Sequence, residues 1–118
     1  MLKELHLEQQ DAAFYGTRYL GRGLREKLQG LLSEEDATDI RIDFANSGVT
    51  QSFLDEFLGV LVVSNGVGLV SRLIFANCTQ QTRALLNLVI GSRLNDHERL
   101  SAKNRARAHE MRTDFFAG

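Results

Sequence analysis

The sequence predicts an α/β domain: a small open mixed sheet of three to four strands covered by helices, with a charged C-terminal helix after it. Two observations predict this. Segments of strand periodicity alternate with segments of helical periodicity, which implies right-handed crossovers and at least partly parallel pairing. The 118 residues are 43% apolar, enough for one core without disulfides or metals.

Residues 2–7, Leu2-Lys3-Glu4-Leu5-His6-Leu7, alternate imperfectly with a period of two, as a half-buried edge strand does. Residues 17–32 set Leu20, Leu24, Leu28 and Leu31 on one helical face and Arg18, Arg22 and Arg25 on the other. Thr17 is placed to cap that helix, and close packing would account for Gly21 and Gly23. Residues 39–44, Asp39 to Phe44, are β-branched and aromatic and read as a second strand, followed by the loop Asn46-Ser47-Gly48. From Phe53 to Val63 apolar residues cover almost the whole helical circumference, so this helix should be the most buried. Asn65-Gly66 stops it, residues 69–76 form a third strand, and a third helix runs from near Thr79 toward Leu94, capped by Asn77 or Thr79. Composition changes near residue 92, which divides the chain into a domain of residues 1–92 and a charged extension of residues 93–118. There Lys103, Arg105, Arg107 and Arg112 suit a basic, solvated helix or a disordered tail.

The formal net charge of -1 provides no global field for nucleic acid or an anionic membrane, so neither is an expected partner. The single cysteine, Cys78, excludes an intramolecular disulfide and a multi-cysteine zinc site, and it suits a reducing, cytoplasmic setting. The N-terminal residues show no apolar run of signal-peptide kind, and Phe57 to Val63 is too short to span a bilayer. His6, His97 and His109 lack metal-ligand spacing, and Gly66-Val67-Gly68 follows a helix rather than a strand, the reverse of a dinucleotide fingerprint. No metal, cofactor or catalytic constellation is expected. Asp43, Asp55 and Glu56 could converge on magnesium at the carboxyl edge of the sheet. The simpler reading has Asp43 bonding loop amides and the other two complementing the helix dipole.

Ser52-Phe53-Leu54-Asp55 ahead of an apolar run fits a capping box, with Ser52 as the N-cap. The Arg18, Arg22 and Arg25 stripe is either a solvated face, with Arg22 paired to Glu26, or a surface for an acidic partner.

The run Thr50-Gln51-Ser52-Phe53-Leu54-Asp55-Glu56, following Ile42-Asp43-Phe44 after a short loop, resembles the STAS-like family of small bacterial proteins of unassigned function. Gly16-Thr17-Arg18 leading into Gly21-Arg22-Gly23-Leu24-Arg25 looks like that family's first helix, and Leu85 to Ile90 like its third. The resemblance spans about residues 5–91. It implies kinship with STAS anti-sigma factor antagonists, in which a hydroxyl at the start of the second helix is phosphorylated by a kinase that is also the partner. Ser52 is similar to that position, and Thr50 is its nearest substitute. The family element Asp-Ser-Ser-Gly is replaced here by Gln51-Ser52-Phe53-Leu54.

The expectation is thus a non-catalytic regulatory interaction module whose partner is a histidine-kinase-like ATPase or another regulatory protein. Its partner-binding residues would be Asp43, Asn46, Ser47, Gly48, Gln51, Asp55, Glu56, Arg18 and Arg22. Phosphorylation should act by repulsion, with Asp55 and Glu56 close to Ser52, and by blocking a partner surface rather than by refolding the domain. A second reading is a phage- or mobile-element-encoded inhibitor that occludes a host enzyme or nucleic-acid complex. A homodimer through the exposed edge strand is a further expectation.

Overall fold

The structure, a computed structural model, describes residues 2–7, 14–34 and 38–117. Its strands are β1 (Lys3–His6), β2 (Phe14–Tyr15), β3 (Ile40–Asp43), β4 (Gly48–Val49) and β5 (Leu73–Ala76). Its helices are α1 (Arg18–Leu32), α2 (Gln51–Leu54), α3 (Val60–Asn65), α4 (Val67–Val70) and α5 (Gln80–Ala117), with a π-helical turn, Asp55–Gly59, joining α2 to α3.

β1, β3 and β5 form one sheet in that order, and every pairing in it is parallel rather than mixed. Side chains alternate across a strand, so the rows Lys3/Ile40/Leu73 and Leu5/Ile42/Phe75 share one face. That face carries the core: Leu5, Ile40, Ile42 and Leu73 are buried there under Leu24, Leu28, Phe53, Phe57 and Leu58. Lys3 keeps to it by laying its stem along apolar surface, with Nζ donating to the Leu31 carbonyl at 3.1 Å and paired with Glu34 at 2.8 Å. The rows Glu4/Arg41/Ile74 and His6/Asp43/Ala76 share the opposite face. β2 and β4 add a separate two-stranded parallel pair.

Thr17 caps α1 as its sequence suggests, its Oγ1 accepting from Leu20 N at 3.2 Å. The buried stripe differs from the four leucines expected: Gly21, Leu24 and Leu28 face inward and Leu20 is left 37% exposed. Gly21 makes the difference. A Cβ there would lie 2.6 Å from the Phe53 carbonyl oxygen and 3.1 Å from Glu56 Cβ, so hydrogen alone lets α1 close on the next helix. Gly23 has open space around it, so packing explains only one of the two glycines.

The central helical run extends from Gln51 to Asn65, and Phe53, Leu54, Phe57 and Leu58 are fully buried, as the apolar circumference predicts. Gly66, at φ 68°, closes it, with its N–H donating to the Val62 carbonyl at 2.8 Å. The chain then makes another helical turn, burying Leu69, and enters β5 only at Leu73. The expected strand over residues 69–76 is therefore half as long, because its first apolar residue is spent on a helix.

Thr79, one of the two caps foreseen, accepts from Thr82 N at 3.1 Å at the start of α5. α5 buries Thr82, Leu86 and Val89 and leaves Leu88 53% exposed. The compositional change near residue 92 does not break the backbone, since α5 continues to Ala117. Residues 101–106 of it are mostly exposed, and the side chains from Arg107 onward lie outside the described residues. No described helix is long and apolar enough to cross a membrane.

Candidate functional site

Thr50 Oγ1 accepts from Phe53 N at 3.1 Å and donates to the Gly16 carbonyl at 3.0 Å. The N-cap of α2 is therefore Thr50, and the capping box read at Ser52 is corrected by two residues. A cap needs extended φ/ψ, which Thr50 has at -102° and 162°, whereas Ser52 already lies inside the helix. Ser52 is half-buried, and its hydroxyl makes no hydrogen bond among the described residues.

Ser52 lines an open cleft of about 420 Å³. Arg18 of α1 borders it on one side, Gln51 and Asp55 flank Ser52, and Val89, Ser92 and Arg93 of α5 close the other side. At its centre Arg93 Nε and Nη2 donate to the two Asp55 oxygens, each at 2.7 Å, and Nη1 donates to Asp96 at 3.2 Å. Arg18 Nη1 reaches Asp55 more loosely, at 3.5 Å. The Arg93 hydrogen bonds hold the Asp55 carboxyl below its ordinary pKa against burial, Arg18 adds to this, and the Arg93 pKa is raised in return.

One local feature makes this pair fit. Gly59, one turn beyond Asp55, would put a Cβ against Asp55 Oδ1 and 3.3 Å from Arg93 Cγ, so only glycine leaves room for the bridge. At the π turn, Arg25 Nη1 donates to the Glu56 carbonyl at 2.8 Å and to Glu56 Oε2 at 3.1 Å. Asp55 and Glu56 thus hold side chains from neighbouring helices and do not simply complement a helix dipole. Of the arginine stripe, Arg18 and Arg25 reach across to these acids, and Arg22 stays exposed.

Asp43 belongs to a second cluster, at the end of β3. Its Oδ1 accepts from Ala45 N at 2.8 Å, and Asn77 Nδ2 donates to both its oxygens at 3.0 Å. These bonds, the Ala45 one foremost, lower its pKa against burial, with Arg41 and His6 contributing. They also hold three left-handed residues in place: Ala45 (φ 51°), Asn46 (φ 57°) and Asn77 (φ 52°). Asp43 is thus a loop clasp engaged apart from the Asp55 and Glu56 pairs, and the described residues contain no three-residue metal-binding group.

Of the other expected contact residues, Asn46 and Gln51 are exposed and Gly48 is half-buried in β4. Ser47 is corrected: it is 1% exposed and its side chain faces inward, because its N–H and C=O close the turn to Phe44 and Thr82. Cys78 is partly covered, and burial pushes its thiol pKa up. His97 is also occupied, its Nδ1 lying 2.6 Å from the Val63 carbonyl and its ring over Gly66.

Arg93, Gly59 and Asn77 were not expected at a site. Arg93 did leave a signal. It stands four and seven residues after Val89 and Leu86, on the buried face of α5, where an arginine requires a buried partner.

Residues 21–83, just over half of the chain, match a family model described as a STAS-like domain of unknown function (DUF4325). No curated protein and no solved structure matches the chain. Arg18 and Arg93 both fall outside the matched span.

Proposed function

Because the chain belongs to the family of STAS-like domains of unknown function, we propose that it is a non-catalytic regulatory interaction module, switched by phosphorylation of Ser52. It would act in the cytoplasm on a histidine-kinase-like or anti-sigma-like protein partner. The observation that carries this reading is the unengaged Ser52 hydroxyl at an open cleft, in a helix whose cap is another residue. A hydroxyl with no structural duty can be modified without dismantling the fold. Thr50 is the poorer acceptor, because phosphorylation would remove the O–H that it donates to the Gly16 carbonyl. The exposed Gln51 and Asn46 and the outer face of Arg18 form the surface offered to the partner.

The test is mass spectrometry of the chain purified from its own cells and of the chain incubated with ATP and a kinase-like ATPase from the same cells. One phosphate that Ser52→Ala removes and Thr50→Ser retains is expected, together with altered binding of that ATPase. If no phosphate appears at either hydroxyl, the switch is wrong and only the interaction module stands.

A further inference from the structure

We propose that Arg18 and Arg93 form a cradle for an anion carried on Ser52, so that a phosphoryl group there fastens α5 to the domain instead of driving elements apart. This rests on the reading of Ser52 as the modified residue, and it reverses the repulsion expected from the neighbouring acids.

The charges around Ser52 are already committed. Glu56 is bound by Arg25, and Asp55 is neutralised by Arg93 with Arg18 beside it. Asp96, one turn further along α5, is shared by Arg93 and Arg99. What the cleft still offers is donors. A guanidinium has five N–H groups, and among the described residues Arg93 uses Nε, one on Nη2 and one on Nη1, which leaves two. Arg18 is 56% exposed, and among the described residues its one ion pair is the long contact at 3.5 Å, so it can turn toward Ser52 at little loss. Both arginines line the same cleft as Ser52. A phosphoryl group carries three acceptor oxygens and a charge near -2, so it can take donors from both without evicting Asp55. Arg18 belongs to α1 and Arg93 to α5, so such a group would tie three elements at one point. Both arginines lie outside residues 21–83, which makes the cradle a property of this chain and not of the matched family segment.

The test places phosphoserine at position 52 of the full chain during translation, so it needs no kinase and gives an answer whether or not one exists in the cell. The second phosphate ionisation is followed by ³¹P NMR against pH. Arginines favour the dianion, so it should fall by about half a unit or more below the ordinary value near 6 and return on Arg18→Gln. Hydrogen exchange across residues 89–97 should slow on phosphorylation. Arg18→Gln is the decisive variant, since Arg93→Gln also breaks the Asp55 bridge. An ionisation at or above the ordinary value, a fall that Arg18→Gln leaves untouched, or exchange in α5 that is not slowed overturns the cradle. Each of those results leaves a phosphate-dependent partner intact as a separate matter.

Discussion

Arg93 and Asp55, 38 residues apart, meet in a two-point bridge with both N···O distances at 2.7 Å. It joins α5 to the helical run that carries Ser52. Such charge-assisted pairs contribute about 1.5–3 kcal/mol when buried, and partial exposure of the guanidinium reduces this, so Arg93→Gln should destabilise by about 1–2 kcal/mol. Urea unfolding measures it. Asp55→Asn should cost a similar amount, and the double variant should cost less than the sum of the two.

The two glycines of α1 should respond in opposite directions. Gly21→Ala forces a methyl against the Phe53 carbonyl and should cost about 1–3 kcal/mol. Gly23→Ala meets nothing and should stabilise by about 0.5–1 kcal/mol through helix propensity and a stiffer unfolded chain. Thermal melts of the two variants decide this, and equal effects would contradict the packing described.

Capping separates the two hydroxyls of the candidate site. Thr50→Ala should lose about 1 kcal/mol or somewhat more, since the cap and the bond to Gly16 both disappear. Ser52→Ala should stay within about 0.5 kcal/mol of the unaltered chain. If Ser52→Ala proves the more damaging, the cap has been assigned to the wrong residue.

Acid sensitivity follows from Asp43 and Asp55, whose folded pKa values both lie below the ordinary one. Carboxyls of this kind contribute stability that is fully present above the unfolded value near 3.9 and is lost as pH falls through the folded value. Melting temperatures should therefore drop steeply below about pH 4, and less steeply in Asp43→Asn or Asp55→Asn, each of which starts from a lower plateau. A titration from pH 7 to pH 2 reads this directly.

The Cys78 thiol, pushed up by burial, should react with a disulfide reagent several-fold more slowly in the folded chain than in denaturant. Faster reaction in the folded state would mean that the thiolate is favoured there.

Features written in adjacent residues were legible in advance. Thr17, the stop at Gly66 and the all-round apolar surface from Phe53 to Val63 each depend on a few neighbours, and each stands where the sequence puts it. Features set by distant residues were not. Thr50 and Ser52 are both plausible caps by composition, and the carbonyl of Gly16, 34 positions away, goes to Thr50. The arginine stripe of α1 reads as either a solvated face or a partner surface, yet Arg25 is satisfied within the chain by the carbonyl and carboxylate of Glu56, in the π-helical turn Asp55–Gly59. Polarity alone does not stop a helix: beyond residue 92 the backbone of α5 stays helical through a stretch in which alanine and arginine are frequent.

The unbroken course of α5 has a mechanical consequence. At 1.5 Å per residue, the stretch from His97, whose ring is held at Val63 and Gly66, to Ala117 is roughly 30 Å of rod. A tilt of about 10° at that point would sweep the far end through roughly 5 Å, so a small adjustment at the base of the rod would become, at the tip, a displacement of about one helical turn.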